Sequence, residues 1–131
     1  MNFFKILFVL LFCISQYVMN AQEVISEDSC RKFHTGKFTY TEVPGTYSVR
    51  NVNEQVSYYK EGWYTTFNIK WLTDCKFILT FVKASSPEMK TFAVGDTMEI
   101  SIDKIDGECY TFTGTFHGKK FPSTQMCKVK E

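Results

Sequence analysis

Only 3 prolines and 7 glycines occur in 131 residues, far fewer than a collagen-like or low-complexity chain requires. A surplus of one charge is missing too. With 15 Lys and Arg against 14 Asp and Glu, the chain lacks the clustered basic charge that drives counterion-release binding to nucleic acid. There are 2 histidines, no G-x-S-x-G elbow, no P-loop spacing and no C-x-x-C pair. These absences remove the common signatures of hydrolases, nucleotide binders and structural zinc sites. No apolar run approaches the roughly 20 residues of a transmembrane helix. The clearest, Ile6 to Ile14, is nine residues long.

What is present begins with that run. It follows the single cation Lys5 and gives way to a polar stretch ending at Asn20-Ala21-Gln22, the build of a cleaved export signal over residues 1–21. Phe12 stands where a small residue would precede a lipid-modified Cys13, so the sequence does not supply a lipobox. Loss of residues 1–21 takes Lys5 as the only charged side chain, leaving fourteen basic against 14 acidic residues. A neutral exported domain has no electrostatic attraction to polyanions or acidic lipid surfaces. Its expected location is periplasmic, outer-envelope or secreted.

Residues 22–131 are predicted to form one β-rich domain. Trp63 to Trp71 places Trp63, Phe67, Ile69 and Trp71 on one face and Tyr64, Thr66, Asn68 and Lys70 on the other, the period-two pattern of a half-buried strand. Cys75, Phe77, Leu79 and Phe81 continue it after Thr73-Asp74, predicting an antiparallel hairpin. Met98, Ile100 and Ile102 alternate in the same way, and beyond the Asp106-Gly107 turn so do Tyr110, Phe112 and Phe116. A last strand is expected over Met126 to Lys130. Earlier strands fall at 37–41, 46–52 and 56–60, and a short helix before Cys30 is compatible with the pattern. Seven or eight strands joined mostly by short turns predict an all-β antiparallel meander: a closed or nearly closed small barrel of lipocalin-like kind, or a sandwich. Seventeen aromatic residues beyond position 21 supply its core.

Four cysteines remain in the mature region: Cys30, Cys75, Cys109 and Cys127. An even number in an exported chain predicts two disulfides, for which three pairings exist. The layout favours Cys109 with Cys127, at the outer ends of two strands that meet near Gly118-Lys119, and hence Cys30 with Cys75. One conflict stands in the pattern: Cys109 falls on the threonine face of its strand, whereas Cys127 alternates in step with Val129.

Candidate chemistry is sparse. His34, His117 and Asp74 are the residues an unrecognised hydrolase site would use, but no nucleophile accompanies them in a known pattern. Asp96, Glu99, Asp103, Asp106 and Glu108 cluster in sequence without the order of a calcium loop; Glu99 and Asp103, which alternate with core residues, read as a solvated strand face. No cofactor or metal is called for. Tyr58, Tyr59 and Tyr64 are the candidate binding face, since adjacent Tyr58 and Tyr59 cannot both point inward from one strand.

The run Cys30-x-x-Phe33-x-Thr35-Gly36-Lys37-Phe38, then Ile69-Lys70-Trp71-Leu72-Thr73-Asp74-Cys75-Lys76-Phe77-x-Leu79 and Gly95-Asp96-Thr97, resembles a family of uncharacterised small exported or lipid-anchored β-rich proteins of Bacteroidetes-type bacteria. The resemblance implies export, a β fold and a Cys30 to Cys75 link, and carries no active-site residue. The expectation is a non-enzymatic exported domain with a binding or envelope-support role, its partner a small apolar ligand or an envelope protein. A lipocalin-like carrier of a small apolar ligand is the alternative, and a hydrolase the second. A carrier requires an apolar cavity. A core packed solid by Phe67, Ile69, Trp71, Phe77, Leu79 and Phe112 would argue against it.

Overall fold

A computed structural model describes residues 25–131; the predicted export segment and Cys13 lie outside the described residues. Within them the chain forms eight strands in sequence order, each antiparallel to the next, and β1 pairs with β8 to close a barrel. The strands are β1 (Gly36–Tyr40), β2 (Tyr47–Arg50), β3 (Glu54–Tyr58), β4 (Tyr64–Thr73), β5 (Lys76–Ala84), β6 (Thr97–Asp106), β7 (Cys109–Phe116) and β8 (Lys119–Lys128). Closure leaves no free sheet edge. Register shifts in the β4–β5, β6–β7 and β7–β8 pairs mark bulges, which bend strands around a barrel.

Alternation decides which side chains enter the lumen. Phe67 and Ile69 from β4, Phe77, Leu79 and Phe81 from β5, Ile100 and Ile102 from β6, and Tyr110 and Phe112 from β7 are buried, as period two predicts. Trp63 departs from the expectation. It precedes β4 in a turn at Gly62 (φ 94°), half-buried, with its ring stacked on Tyr59 at 4.2 Å. Trp71 is half-buried between Phe77 and His34 rather than fully enclosed. The last strand starts at Lys119, well before Met126. Its first half carries Lys119, Lys120, Pro122 and Ser123 and so lacks apolar alternation. Gly114, on β7, faces inward where the Phe121 ring crosses it; a Cβ there would meet that ring and the Glu99 carbonyl oxygen at 2.7 Å.

Both expected disulfides form, Cys30 with Cys75 and Cys109 with Cys127, a pattern suited to an oxidising compartment. Cys109 and Cys127 are direct cross-strand partners. The conflict in the sequence pattern dissolves because both lie on the outer face: Val129 beyond β8 is exposed, while Met126 is the buried neighbour. No bulge is needed at the pair.

One end of the barrel is floored by the segment before β1. A single-turn helix α1 (Glu27–Cys30) and a 3-10 turn (Arg31–Phe33) lie there, at the same end as the β2–β3, β4–β5 and β6–β7 turns. Cys30 and Phe33 are both fully buried, and the disulfide ties this plug to the β4–β5 turn. Polar contacts add further ties. Arg31 Nε donates to Asp74 Oδ2 at 2.7 Å, Lys32 Nζ to the Gly107 carbonyl at 2.5 Å, and Lys128 Nζ to the Lys32 carbonyl at 2.7 Å.

Candidate functional site

The opposite end carries the β1–β2, β3–β4, β5–β6 and β7–β8 connections and opens on a cavity. About 340 Å³ of space runs from Val43, Phe92 and Phe121 at this mouth down to Arg50, Phe77 and Tyr110 near the plug. Val43, 49% exposed, stands at its rim. The volume lies at the lower end of the range of roughly 300–1,000 Å³ typical of small-molecule sites. Phe67, Phe77, Leu79 and Phe112 belong to the buried core and also line the cavity, whereas Ile69 and Trp71 do not border it.

The lining is divided. From β4 to β8 it is mostly apolar, with Leu79, Met98, Ile100 and Met126 among the aromatic rings and Thr124 and the Tyr110 phenol as the polar exceptions. The β1–β3 wall is polar: Ser48, Arg50, Gln55 and Ser57 are all buried. Their groups bond to one another. Tyr40 Oη lies 2.9 Å from Ser48 Oγ, which lies 2.8 Å from Ser57 Oγ. In β2 and β3 the apolar residues take the other side, so that Val49 is 43% exposed while its polar neighbours face the lumen.

At the floor, Arg50 is 3% exposed. Its Nε and Nη2 donate to Gln55 Oε1 at 2.9 and 2.8 Å, Nη2 also to Tyr110 Oη at 3.0 Å, and Nη1 to the Phe33 carbonyl at 2.8 Å. The guanidinium carbon sits 4.6 Å from the Phe38 ring centre, 4.9 Å from that of Phe77 and 5.9 Å from that of Tyr110. These ring faces partly replace the hydration a buried cation loses. Among the described residues no ion pair includes Arg50.

Burial pushes the Tyr110 phenol above its ordinary range despite the neighbouring Arg50 cation, and burial raises Tyr59 likewise. A phenol whose folded pKa is raised adds no pH dependence while both states are protonated. Above about pH 10 the unfolded chain ionises first, so stability falls as pH rises. We expect urea midpoints to drop between about pH 9 and pH 10.5, and the drop to be smaller in Tyr110→Phe, by up to about 1.4 kcal/mol per pH unit. Parallel declines in the two proteins would contradict a buried, protonated Tyr110.

The other sequence candidates are dispersed. Tyr58 and Tyr64 lie on the outer face and, with Tyr47, occupy one register line across β2, β3 and β4. The Tyr47 and Tyr58 rings stack at 4.9 Å, and Lys37 Nζ lies 4.3 Å from the Tyr47 ring centre. Tyr59 turns inward: its hydroxyl lies 3.2 Å from Thr65 Oγ1 and its ring lines the cavity. The proposed face is thus split between the outside and the lumen. His34 and Asp74 do meet at the floor, where His34 Nε2 lies 2.8 Å from the Asp74 backbone carbonyl, but Cys75 beside them is in a disulfide. His117 sits at the mouth, 3.3 Å from Asp96. The Ala93 N–H and His117 hold the Asp96 carboxyl below its ordinary pKa.

Of the clustered carboxylates, Asp103 accepts from Thr113 Oγ1 and Glu108 faces Lys32 at 3.5 Å. Among the described residues, no three His, Cys, Asp or Glu side chains converge as metal ligands, and no helix is long and apolar enough to cross a membrane. The sequence reading missed the buried polar wall. Its signal was present: Ser48 and Arg50, then Gln55 and Ser57, keep period two with polarity inverted around Val49 and Val56. Comparison of the chain with family models, curated proteins and solved structures finds no match.

Proposed function

We propose that the protein is a non-enzymatic exported carrier whose barrel lumen holds a small apolar ligand. The observation that carries this reading is the cavity of about 340 Å³, bounded by buried core side chains of the barrel. Eight strands enclose an interior just wide enough for packed side chains or one small ligand. An unfilled apolar lumen lowers stability by the contacts it forgoes, and ligand burial would restore them. Export belongs to the same proposal and is supported by the apolar run after Lys5 together with the two disulfides.

The test is titration of the purified mature protein with the apolar fluorophore N-phenylnaphthylamine. Saturable binding at one site per chain is expected. Ile100→Phe, which enlarges a side chain lining the cavity, should weaken it about tenfold or more, equivalent to about 1.4 kcal/mol. Failure of the folded wild-type protein to bind, or equal binding by a folded Ile100→Phe variant, would remove the lumen as the site.

A further inference from the structure

The charge at the floor of the cavity is out of keeping with the rest of its lining. Arg50 is 3% exposed, lines the lumen, and gives its hydrogen bonds only to neutral acceptors, those of Gln55, Tyr110 and Phe33. Holding a carbonyl and an amide needs donors. It does not need a full positive charge, which is costly to bury without a counter-ion.

Donor capacity is also left over. A guanidinium has five N–H groups, and Arg50 makes four hydrogen bonds, only one of them from Nη1. Beside it, the Tyr110 hydroxyl donates to Met126 Sδ at 3.2 Å, a thioether and hence a weak acceptor. An incoming anion could therefore take one Arg50 N–H and the Tyr110 O–H while the bonds to Phe33 and Gln55 persist. Above this pair the side of the lumen formed by β4 to β8 is mostly apolar as far as Phe92 and Phe121 at the mouth, while Tyr40, Gln55 and Ser57 keep the facing wall polar.

We propose that Arg50 and Tyr110 form an anion-binding subsite at the base of the lumen and that the ligand is a single-chain carboxylic acid, carboxylate down and alkyl chain toward the mouth. The inference rests on the carrier reading and names its ligand class. A carboxylate can accept from the guanidinium N–H and the phenol O–H together, and a charge-assisted hydrogen bond is roughly twice as strong as a neutral one. A cavity of about 340 Å³ suits a chain of medium length better than a sterol or a two-chain lipid.

Displacement of N-phenylnaphthylamine from the wild-type protein by decanoate, decanol and methyl decanoate at about pH 8, where a free carboxyl is ionised, separates head group from chain. Decanoate is expected to bind about tenfold or more tightly than the alcohol or the ester. Arg50→Met, checked for folding by near-UV circular dichroism, should bring decanoate down to the level of decanol. The wild-type comparison stands even if that variant does not fold. Equal or weaker binding of decanoate, or displacement by none of the three, overturns the carboxylate subsite while leaving the carrier reading intact. Failure of the fluorophore itself to bind overturns both.

Discussion

Phe33→Ala is expected to lower the unfolding free energy by about 3–5 kcal/mol, the range for losing a fully buried phenylalanine ring. Phe33 is 0% exposed, with its ring centre 4.7 Å from that of Tyr110 and 6.4 Å from that of Phe38. Both the transfer of the ring from water and the void left behind contribute. Phe112→Ala is the informative comparison. Phe112 is also buried, but it borders the existing cavity and so lacks packing atoms on part of its surface. It should cost less. Urea denaturation with an unchanged slope would report the two losses as shifts in midpoint. A Phe33→Ala cost below about 1 kcal/mol would mean that the plug opens separately from the barrel.

The plug shows how far the sequence could be read. Period two located most strands because one face of each had to enter an apolar interior, and Asp106-Gly107 fixed the β6–β7 turn, where Gly107 has φ 59°. Closure into a barrel was legible from the run of short connections. Lys119 to Gln125 shows no apolar alternation of its own, since Phe121 alone carries an apolar signal there; only the turn near Gly118-Lys119 implied a second hairpin arm, and backbone pairing with β7 supplies the rest. The floor was opaque for a different reason. Nothing local in Arg31-Lys32-Phe33 distinguishes a buried ring from an exposed one; its burial depends on strands far away in sequence.

The site was harder to read than the fold. Hydrophobicity alternation predicts which side chains are buried, and β2 and β3 invert that rule by sending Ser48, Arg50, Gln55 and Ser57 inward and Val49 outward. Such an inversion is tolerated only where the polar groups find partners, as Tyr40, Ser48 and Ser57 do in their chain of hydroxyls. Tyr58 and Tyr64 were identified by exclusion from the core. Their outer position follows from alternation, yet the cavity lies behind them, reached by Tyr59. An enclosed lumen is a cooperative property of eight strands, whereas a surface ladder is written in three.

Replacing Cys30 and Cys75 together by alanine is expected to cost about 2–4 kcal/mol, chiefly through the freedom the unfolded chain regains. This bond spans 45 positions and the Cys109–Cys127 bond spans 18. On loop length alone the first is worth about 0.8 kcal/mol more. Location enlarges the difference: Cys109 and Cys127 join strands already paired through their hairpin, whereas Cys30 is the covalent tie of the plug to the barrel. The Cys109→Ala/Cys127→Ala protein should therefore unfold at a higher urea concentration than the Cys30→Ala/Cys75→Ala protein. The reverse order would show that plug attachment adds little to the cooperative unit. Coupling to Phe33 sharpens the test, because residues in one packed element do not contribute independently. With the Cys30–Cys75 bond already removed, Phe33→Ala should cost less than in the wild-type protein. Strict additivity would place the ring's contribution in the barrel wall, independent of the bond that holds the plug in place.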